Sequence, residues 1–386
     1  MTNTEDIGQT IGPWRTVWRP RDEPGNRRFV SVGDLSLERG GMLTNVVVCY
    51  EMFGSLNADR SNAVLVLHGF TADSHGAGST GPGHPEPGWW DGVIGPGKGV
   101  DTDKFCVVVP NALGGCQGTT GPGQLAEDGK PWGSRWPVTT IRDMVAAERL
   151  LADALGIERW HGAVGVSLGG MRALEWAVGS PERVARAVII GVGSQATAEQ
   201  IAYQAIQMEI IASDPEFHCG DYYDKGDGRG PVKGMALARK LGHLTYRSEI
   251  EMHQRFGNRP EAGEDPLSPL RGSGRFGVMS YLDYAGVRLE RRFDPNTYLA
   301  INEAMNMHDI GRDRGGVNAA MGRITAELTV AGMEEDRLYP IRLQKMLVAE
   351  APRATDLHVV RSAVGHDAFL TEDATMSGLI APALNT

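Results

Sequence analysis

A serine flanked by glycines is the part of this sequence best suited to nucleophilic chemistry. Residues 165–170 read Gly-Val-Ser-Leu-Gly-Gly, between an apolar run and a run with helical spacing. The pattern is typical of a nucleophile elbow, a strand-to-helix turn so tight that the neighbours of the serine must lack bulk. We therefore take Ser167 as the candidate nucleophile, with an ordinary glycine-rich turn as the alternative.

A serine hydroxyl becomes a good nucleophile only when a histidine accepts its proton and a carboxylate orients that histidine. In an elbow protein these partners follow in the order serine, acid, histidine. Asp336 follows the predicted strand 328–332 and His366 follows the next one, 357–360. The alternative for Asp336 is an acid on a solvated loop, and the alternative for His366 is a surface or satisfied core histidine. Their order and positions together favour a triad with Ser167.

The same chemistry needs two backbone amides to stabilise the oxyanion, one after the nucleophile and one in the loop after an early strand. Leu168 supplies the first. The early loop reads Leu-His-Gly-Phe-Thr over residues 67–71, so the amide of Phe70 is the candidate for the second. The alternative is that this loop is merely the end of a strand.

Short apolar runs bounded by Gly, Pro, Asn or Asp predict the buried strands that position these groups. Strands alternating with helices indicate parallel βαβ units, with ligands at the carboxyl ends of the strands. An amphipathic helix is predicted over residues 141–155, opened by Thr139 or Thr140 and closed by Gly156. The predicted early strands are residues 46–53, 63–68, 105–109, 160–166 and 184–190.

The strand pattern stops near residue 196 and is replaced by Met-, Gln- and Arg-rich sequence with helical spacing. It resumes with strand 328–332, a helix over 340–350, strand 357–360 and a terminal helix from 372. We therefore predict an α/β core of residues 1–194 and 322–386, interrupted by a helical lid of residues 195–321. The placement of this insertion suggests a cover over the carboxyl edge of the sheet.

Composition excludes several classes of function. The 386 residues carry 38 Lys and Arg against 48 Asp and Glu, a net charge of −10, which argues against binding to nucleic acid or anionic lipid. The longest apolar runs fall far short of the ~20 residues of a membrane helix. Residues 1–14 lack the pattern of a secretory signal, and the four cysteines form no CxxC motif, so we expect a cytoplasmic protein with reduced thiols.

Long sequence blocks resemble the homoserine O-acetyltransferases, acyl-CoA-dependent enzymes of methionine biosynthesis with the α/β-hydrolase fold. The resemblance runs from about residue 30 to the end. The blocks are DSH (73–75), GPGHPEPGWWD (81–91), LGGCQGTTGP (113–122), DGKPWGSRWP (128–137), the elbow, HLTYRSE (243–249), HDIGRDRGG (308–316), DRLYP (336–340) and GHDAFL (365–370).

The resemblance implies a mostly parallel sheet flanked by helices, and the triad roles already given. It also implies that Arg239 and Asp367 hold the amino-acid substrate. Homoserine is a zwitterion, so an arginine fork suits its carboxylate and a carboxylate its ammonium group. A solvated arginine and a helix N-cap are the alternatives for these two residues. A homodimer built through the lid is a further implication.

The expected reaction is acetyl transfer from acetyl-CoA to L-homoserine by a ping-pong route through an acyl-serine, with acetyl-CoA as a co-substrate and no cofactor. The elbow and the early loop depart from the usual family sequence, which leaves the acyl donor open. Alternatives are succinyl-CoA as donor, serine as acceptor, a small-ester hydrolase, or a non-catalytic protein. His68, His75 and His84 could be taken for a metal trio, but their spacing fits no helix face and a triad enzyme needs no metal, so we expect none.

Overall fold

The computed structural model describes residues 16–225, 230–268, 274–351, 353 and 356–385. Residues 1–14, in which the sequence predicts no secretory signal, lie outside this part of the chain. Within it, the strands are β1 (Arg28–Ser36), β2 (Met42–Phe53), β3 (Ala63–Leu67), β4 (Ile94–Gly95), β5 (Val100–Asp101), β6 (Cys106–Pro110), β7 (Gly162–Val166), β8 (Arg186–Ile190), β9 (Glu327–Met333) and β10 (His358–Val360).

Eight of these strands form one sheet in the order β1-β2-β6-β3-β7-β8-β9-β10. All neighbours from β6 to β10 are parallel, whereas β1 and β2 are antiparallel to each other and β2 is antiparallel to β6. The two shortest strands, β4 and β5, pair separately. The sheet is therefore mostly parallel, as expected for the α/β-hydrolase fold.

There are eleven α-helices in the described chain. They are α1 (Ile141–Ala154), α2 (Leu168–Gly179), α3 (Ala198–Ala212), α4 (Val232–Tyr246), α5 (Glu249–Phe256), α6 (Gly277–Glu290), α7 (Pro295–Asn306), α8 (Val317–Met321), α9 (Arg342–Glu350), α10 (Ala368–Thr371) and α11 (Asp373–Asn385). Helices α1, α2, α9 and α11 contact strands, and the others lie between these along the chain. No helix in the described ranges is long and apolar enough to cross a membrane.

The core lies on both faces of the sheet. Along β3, Leu65 and Leu67 pack into the larger apolar cluster with α1 and α2, while Val64 and Val66 pack into a second cluster with α11. All five residues of β3 are buried. This burial on two sides explains why the central strands read as continuous apolar runs instead of alternating ones.

The predicted helix over 141–155 forms as α1. Of the two threonines that were candidates for its start, Thr140 is the N-cap. Thr140 and Asp143 make a reciprocal capping box, in which the carboxylate of Asp143 accepts the amide of Thr140 at 2.8 Å. Gly156, with φ of +66°, follows the last turn in the left-handed conformation that favours glycine.

Three strands were not predicted from the sequence: the two-residue strands β4 and β5, and the long first strand of the sheet. Strand β1 lies at the sheet edge, is exposed along much of its length, and its pairing with β2 slips on both sides of Gly33. The sequence therefore carries no long apolar run there. Strand β2 also begins four residues earlier than predicted, because its first part pairs only with β1.

Between β8 and β9 the described chain forms helices α3 to α8 and contributes no strand to the large sheet. Helix α4 packs against α3 and α6, and α3 also packs against α7. The chain from α4 to α5 touches the loop after β10, so this helical segment reaches the carboxyl end of the sheet.

Candidate active site

The turn that carries Ser167 is confined by close backbone packing. Ser167 lies between β7 and α2 with φ of 52° and ψ of −120°, a strained conformation for a residue with a side chain. A Cβ atom at Gly165 would lie 2.0 Å from the carbonyl oxygen of Gly169, and one at Gly169 would lie 1.9 Å from the carbonyl oxygen of Leu67. Both positions therefore require glycine, and the turn has the form of a nucleophile elbow.

The structure brings the three predicted triad residues together. Nε2 of His366 lies 2.9 Å from Oγ of Ser167, and Nδ1 of the same ring lies 2.6 Å from Oδ2 of Asp336. The other carboxylate oxygen of Asp336 accepts the amides of Leu338 and Tyr339 at 2.9 and 2.7 Å. The carboxylate is thus fixed by the loop after β9, and it orients the histidine on the loop after β10.

The histidine is suited to act as a base near neutral pH. Burial disfavours the charged imidazolium, but the carboxylate of Asp336, by charge and hydrogen bond, and that of Asp367 raise the pKa of His366 above its ordinary 6.5. The ring of Tyr339 stacks on the imidazole with centroids 5.1 Å apart. Its role in holding the base was not foreseen from the sequence.

The two amides expected to form an oxyanion hole are available. Within the ranges that the structure describes, neither the amide of Phe70 nor that of Leu168 donates a hydrogen bond to a protein acceptor. The amide of Leu168 is the first of α2, where helical N–H groups have no partner in the helix. The Phe70 side chain packs against Phe293 and Tyr298, which anchors its loop to the helical insertion.

The residues implied by the resemblance to hold the substrate lie beside the base. Asp367 directly follows His366 and occupies the N-cap position of α10, but its side chain accepts no capping hydrogen bond there from the described chain. Burial raises the pKa of the Asp367 carboxyl, although the guanidinium groups of Arg247 and Arg239 oppose this. The Arg239 guanidinium lies over the ring of Tyr246, 5.2 Å from its centroid, and its buried Nε has no hydrogen-bond partner among the described residues.

Arg247 is a site residue that the sequence analysis did not identify. Its Nε lies 3.1 Å from Oδ2 of Asp367. The backbone reinforces this contact, because the amide of Asp367 donates to the carbonyl of Tyr246 and the amide of Ser248 to that of Val364. Position 247 falls inside the quoted HLTYRSE block, but nothing in that block signals which acid it faces.

The three histidines weighed as a metal trio separate in the structure. His68 lies at the end of β3, whereas His75 and His84 stack with centroids 3.7 Å apart. Glu51 joins the stacked pair, and their possible ligand atoms lie within 4.8 Å of one another. The sequence argument from helix spacing was therefore wrong for this pair, since loops bring the two rings together.

Two observations disfavour a cation between the stacked rings. Nε2 of His84 already accepts the amide of Asn26 at 3.0 Å. Burial, together with the charge of Arg27, lowers the pKa of His84 to about 3, and the charge of Arg27 also repels a metal ion. Arg27, His75 and His84 line a cavity of about 640 Å³, whose wall also contains Ala72 and Arg292.

The chain matches the α/β-hydrolase family model over residues 62–373. It is 53% identical over 369 residues to a homoserine O-acetyltransferase of Thermobifida fusca (95% of this chain, 96% of the relative), and 50% identical to one of Leifsonia xyli (95% and 91%). Among solved structures it is similar to homoserine O-acetyltransferase from Bacillus anthracis (TM-score 0.84, 26% identity, 93% and 97% coverage) and to esterase E22 (0.83, 27%, 93% and 99%).

Proposed function

Since the chain belongs to the homoserine O-acetyltransferases, and is thus an acyltransferase of the α/β-hydrolase fold, we propose that it transfers the acetyl group of acetyl-CoA to the hydroxyl of L-homoserine through an acetylated Ser167. The observation that carries the proposal is the hydrogen-bonded series of Ser167, His366 and Asp336. The products are O-acetyl-L-homoserine and CoA, in a step of methionine biosynthesis.

In the first half-reaction, Oγ of Ser167 attacks the thioester carbon while Nε2 of His366 takes the hydroxyl proton. The negative charge that develops on the carbonyl oxygen is met by the amides of Leu168 and Phe70. The carbon–sulfur bond then breaks, the imidazolium returns its proton to the departing thiolate, and CoA leaves. The cavity lined by Ala72, Asp73 and Leu370, in the segments that follow Phe70 and His366, has room for the pantetheine arm of the donor.

In the second half-reaction, the same imidazole takes the proton of the homoserine hydroxyl, whose oxygen attacks the acetyl carbon. The ester bond to Ser167 breaks and its oxygen regains a proton from His366. The acceptor is fixed by its charges, with Arg239 facing the carboxylate and Asp367 facing the ammonium group. Arg247 already pairs with Asp367, so the ammonium group shares this carboxylate with a cation of the protein.

Two other readings keep the same nucleophile. In the first, succinyl-CoA replaces acetyl-CoA as the donor, or serine replaces homoserine as the acceptor. The residues around the elbow, which shape the acyl pocket, depart from the usual family sequence and leave this open. Hydrolysis of small esters is favoured by the likeness to esterase E22. All of these routes pass through an acyl-serine and differ in what removes the acyl group.

Trapping of the first intermediate is the direct test. After brief exposure of the enzyme to acetyl-CoA alone, mass spectrometry of the peptides should find acetylation on Ser167. Ser167→Ala should lose the adduct and about 10⁶-fold in turnover, while its thermal unfolding stays that of the wild type. An adduct on another residue, or none under conditions in which product forms, refutes the proposal.

Pairing each donor with each acceptor identifies the reaction. Acetyl-CoA or succinyl-CoA is incubated with homoserine, serine or neither, and free thiol is followed. Thiol release with acetyl-CoA that depends on homoserine supports the proposal, and release independent of any acceptor supports the hydrolase. A blank without donor is needed, because Cys219 is exposed whereas Cys49, Cys106 and Cys116 are buried.

We further propose that two copies associate through the helical insertion, in the cytoplasm and without a bound metal. Several large apolar side chains on α3, α4 and α6 are exposed, which supports an interface there. They are Ile201, Ile206, Leu237, Leu244, Met279 and Tyr284. Light scattering of the purified protein should give the mass of a dimer, and a monomer at all concentrations would contradict this.

A further inference from the structure

The buried histidine at the end of β3 has both ring nitrogens engaged. Nε2 of His68 lies 3.0 Å from the amide nitrogen of Ala112, and Nδ1 lies 2.7 Å from the carbonyl oxygen of Gly69. The side chain is 1% exposed. Neither bond involves the nucleophile or the base, so the mechanism described above gives the ring no task.

These two bonds define the protonation state of the ring. The amide of Ala112 can only donate, so Nε2 of His68 carries the lone pair and Nδ1 carries the proton. That proton is donated to the Gly69 carbonyl. Burial, assisted by the charge of Arg172, lowers the pKa of His68 to about 3, so the ring stays neutral and in this tautomer throughout the working range of pH.

The bond to Gly69 determines where the next amide points. In a trans peptide, the carbonyl of Gly69 and the N–H of Phe70 point in opposite directions, and the described chain contains no cis peptide. A carbonyl held toward the His68 ring therefore turns the Phe70 amide away from the ring. This peptide lies near the elbow, because a Cβ atom at Gly69 would be 3.9 Å from the carbonyl oxygen of Val166.

We propose that His68 is a positioning residue, which holds the Gly69–Phe70 peptide in the orientation that presents the Phe70 amide to the oxyanion. The inference rests on the proposed function, in which that amide stabilises the oxyanion. Gly69 has no side chain to restrain its backbone, and the amide of Ala72, at 3.3 Å, is the other donor to its carbonyl. Without the ring, this peptide can rotate and offer its oxygen to the site, where it would repel the developing charge.

A matched pair of variants separates the two bonds of the ring. In His68→Asn the side-chain amide can still donate to the Gly69 carbonyl near the former Nδ1. In His68→Gln the polar group reaches further, toward the Ala112 amide, and the bond to Gly69 is lost. Loss of one oxyanion donor costs about 10²–10³-fold in kcat in another enzyme, so partial loss of orientation should cost about 10–100-fold.

We expect His68→Gln to lose about 10–100-fold in kcat and His68→Asn to recover most of that loss. The KM values for donor and homoserine should change little, since the oxyanion forms only in the transition state. The acid limb of the pH profile should not move, because His366 is untouched. Urea unfolding of both variants measures any general loss of stability.

The difference in kcat between the two variants tests the positioning role of His68. If His68→Gln is as active as His68→Asn or more active, or if both retain full kcat, the positioning role is wrong. The rate at which a fluorophosphonate labels Ser167 gives a second readout, because phosphonylation also uses the oxyanion amides. Should the wild type be labelled without transferring acetyl groups, the proposed function fails while the labelling rates still test His68.

Discussion

Substitution of Gly165 by alanine should disable the elbow. The new Cβ atom would lie 2.0 Å from the carbonyl oxygen of Gly169 and 2.4 Å from its carbonyl carbon. Both are backbone atoms of the first turn of α2, so no side chain can swing aside to make room. Because non-bonded heavy atoms rest at about 3.5–4.0 Å, that turn must withdraw by at least about 1 Å.

This displacement has two expected costs. Overpacking of this kind destabilises proteins by about 1–3 kcal/mol, and the backbone contact places Gly165→Ala at or above the upper end. The turn also carries Ser167 and the Leu168 amide, and a misplacement of about 1 Å in an active site can cost about 10²-fold in rate. We therefore expect a loss of about 3 kcal/mol in the free energy of unfolding and of at least about 10²-fold in kcat.

The control is Gly378→Ala in α11, where a Cβ atom would meet no atom of the described chain within 4 Å. An alanine at this exposed helical position should stabilise the protein by about 0.5–1 kcal/mol and leave turnover unchanged. Urea unfolding and steady-state thiol release are measured on both variants. A Gly165→Ala enzyme with wild-type kcat and an unchanged urea midpoint would show that the elbow is not confined as the structure indicates.

Two further predictions concern charged groups. Because the pKa of His366 is raised above 6.5, kcat/KM should fall on the acid side at a higher pH than an ordinary histidine would give. A flat kcat/KM profile between pH 5 and 8, the range in which histidines titrate, would contradict this. Asp336→Asn, which removes the charge that orients His366, should lower kcat about 10⁴-fold. Arg172→Met should cost about 3–5 kcal/mol of unfolding free energy, since it leaves buried Glu148 without the guanidinium 2.6 Å away. That deficit should shrink as pH falls, because burial raises the pKa of Glu148 and protonation removes the unpaired charge; a deficit independent of pH, or one absent from urea unfolding, would count against it.

The buried part of the fold was predictable from the sequence, and its edge was not. Strands β3, β6, β7 and β8 are covered on both faces, so each reads as a continuous apolar run bounded by turn residues. Strand β1 is largely exposed, and its register with β2 is interrupted at Gly33. It forms a strand because it pairs with β2, which is a tertiary contact. Local sequence patterns carry little information about such pairing.

The proximity of the three candidate triad residues was predictable because chain order and strand ends constrain it. Parallel strands deliver Ser167, Asp336 and His366 to one edge of the sheet, so their proximity follows from topology. The pairing of Arg247 with Asp367 joins residues that belong to different parts of the chain, and it depends on how the α4–α5 turn docks on the loop after β10. No local pattern encodes that docking.

The same docking bears on why an acyl-serine would be passed to an amino acid and not to water. His366 can deprotonate either, so the outcome depends on which hydroxyl is held beside the acetyl group. Asp367 follows this base directly in the chain. The α4–α5 turn holds Asp367 in place, because the carbonyl of Tyr246 accepts its amide and the guanidinium of Arg247 pairs with its carboxylate. An acceptor bound to Asp367 is thereby fixed relative to the base itself, and its hydroxyl gains an effective concentration that a freely diffusing water lacks. Weakening the contact between the α4–α5 turn and Asp367 should therefore raise the rate of thiol release without acceptor relative to the rate with homoserine, even though Ser167, His366 and Asp336 are unchanged.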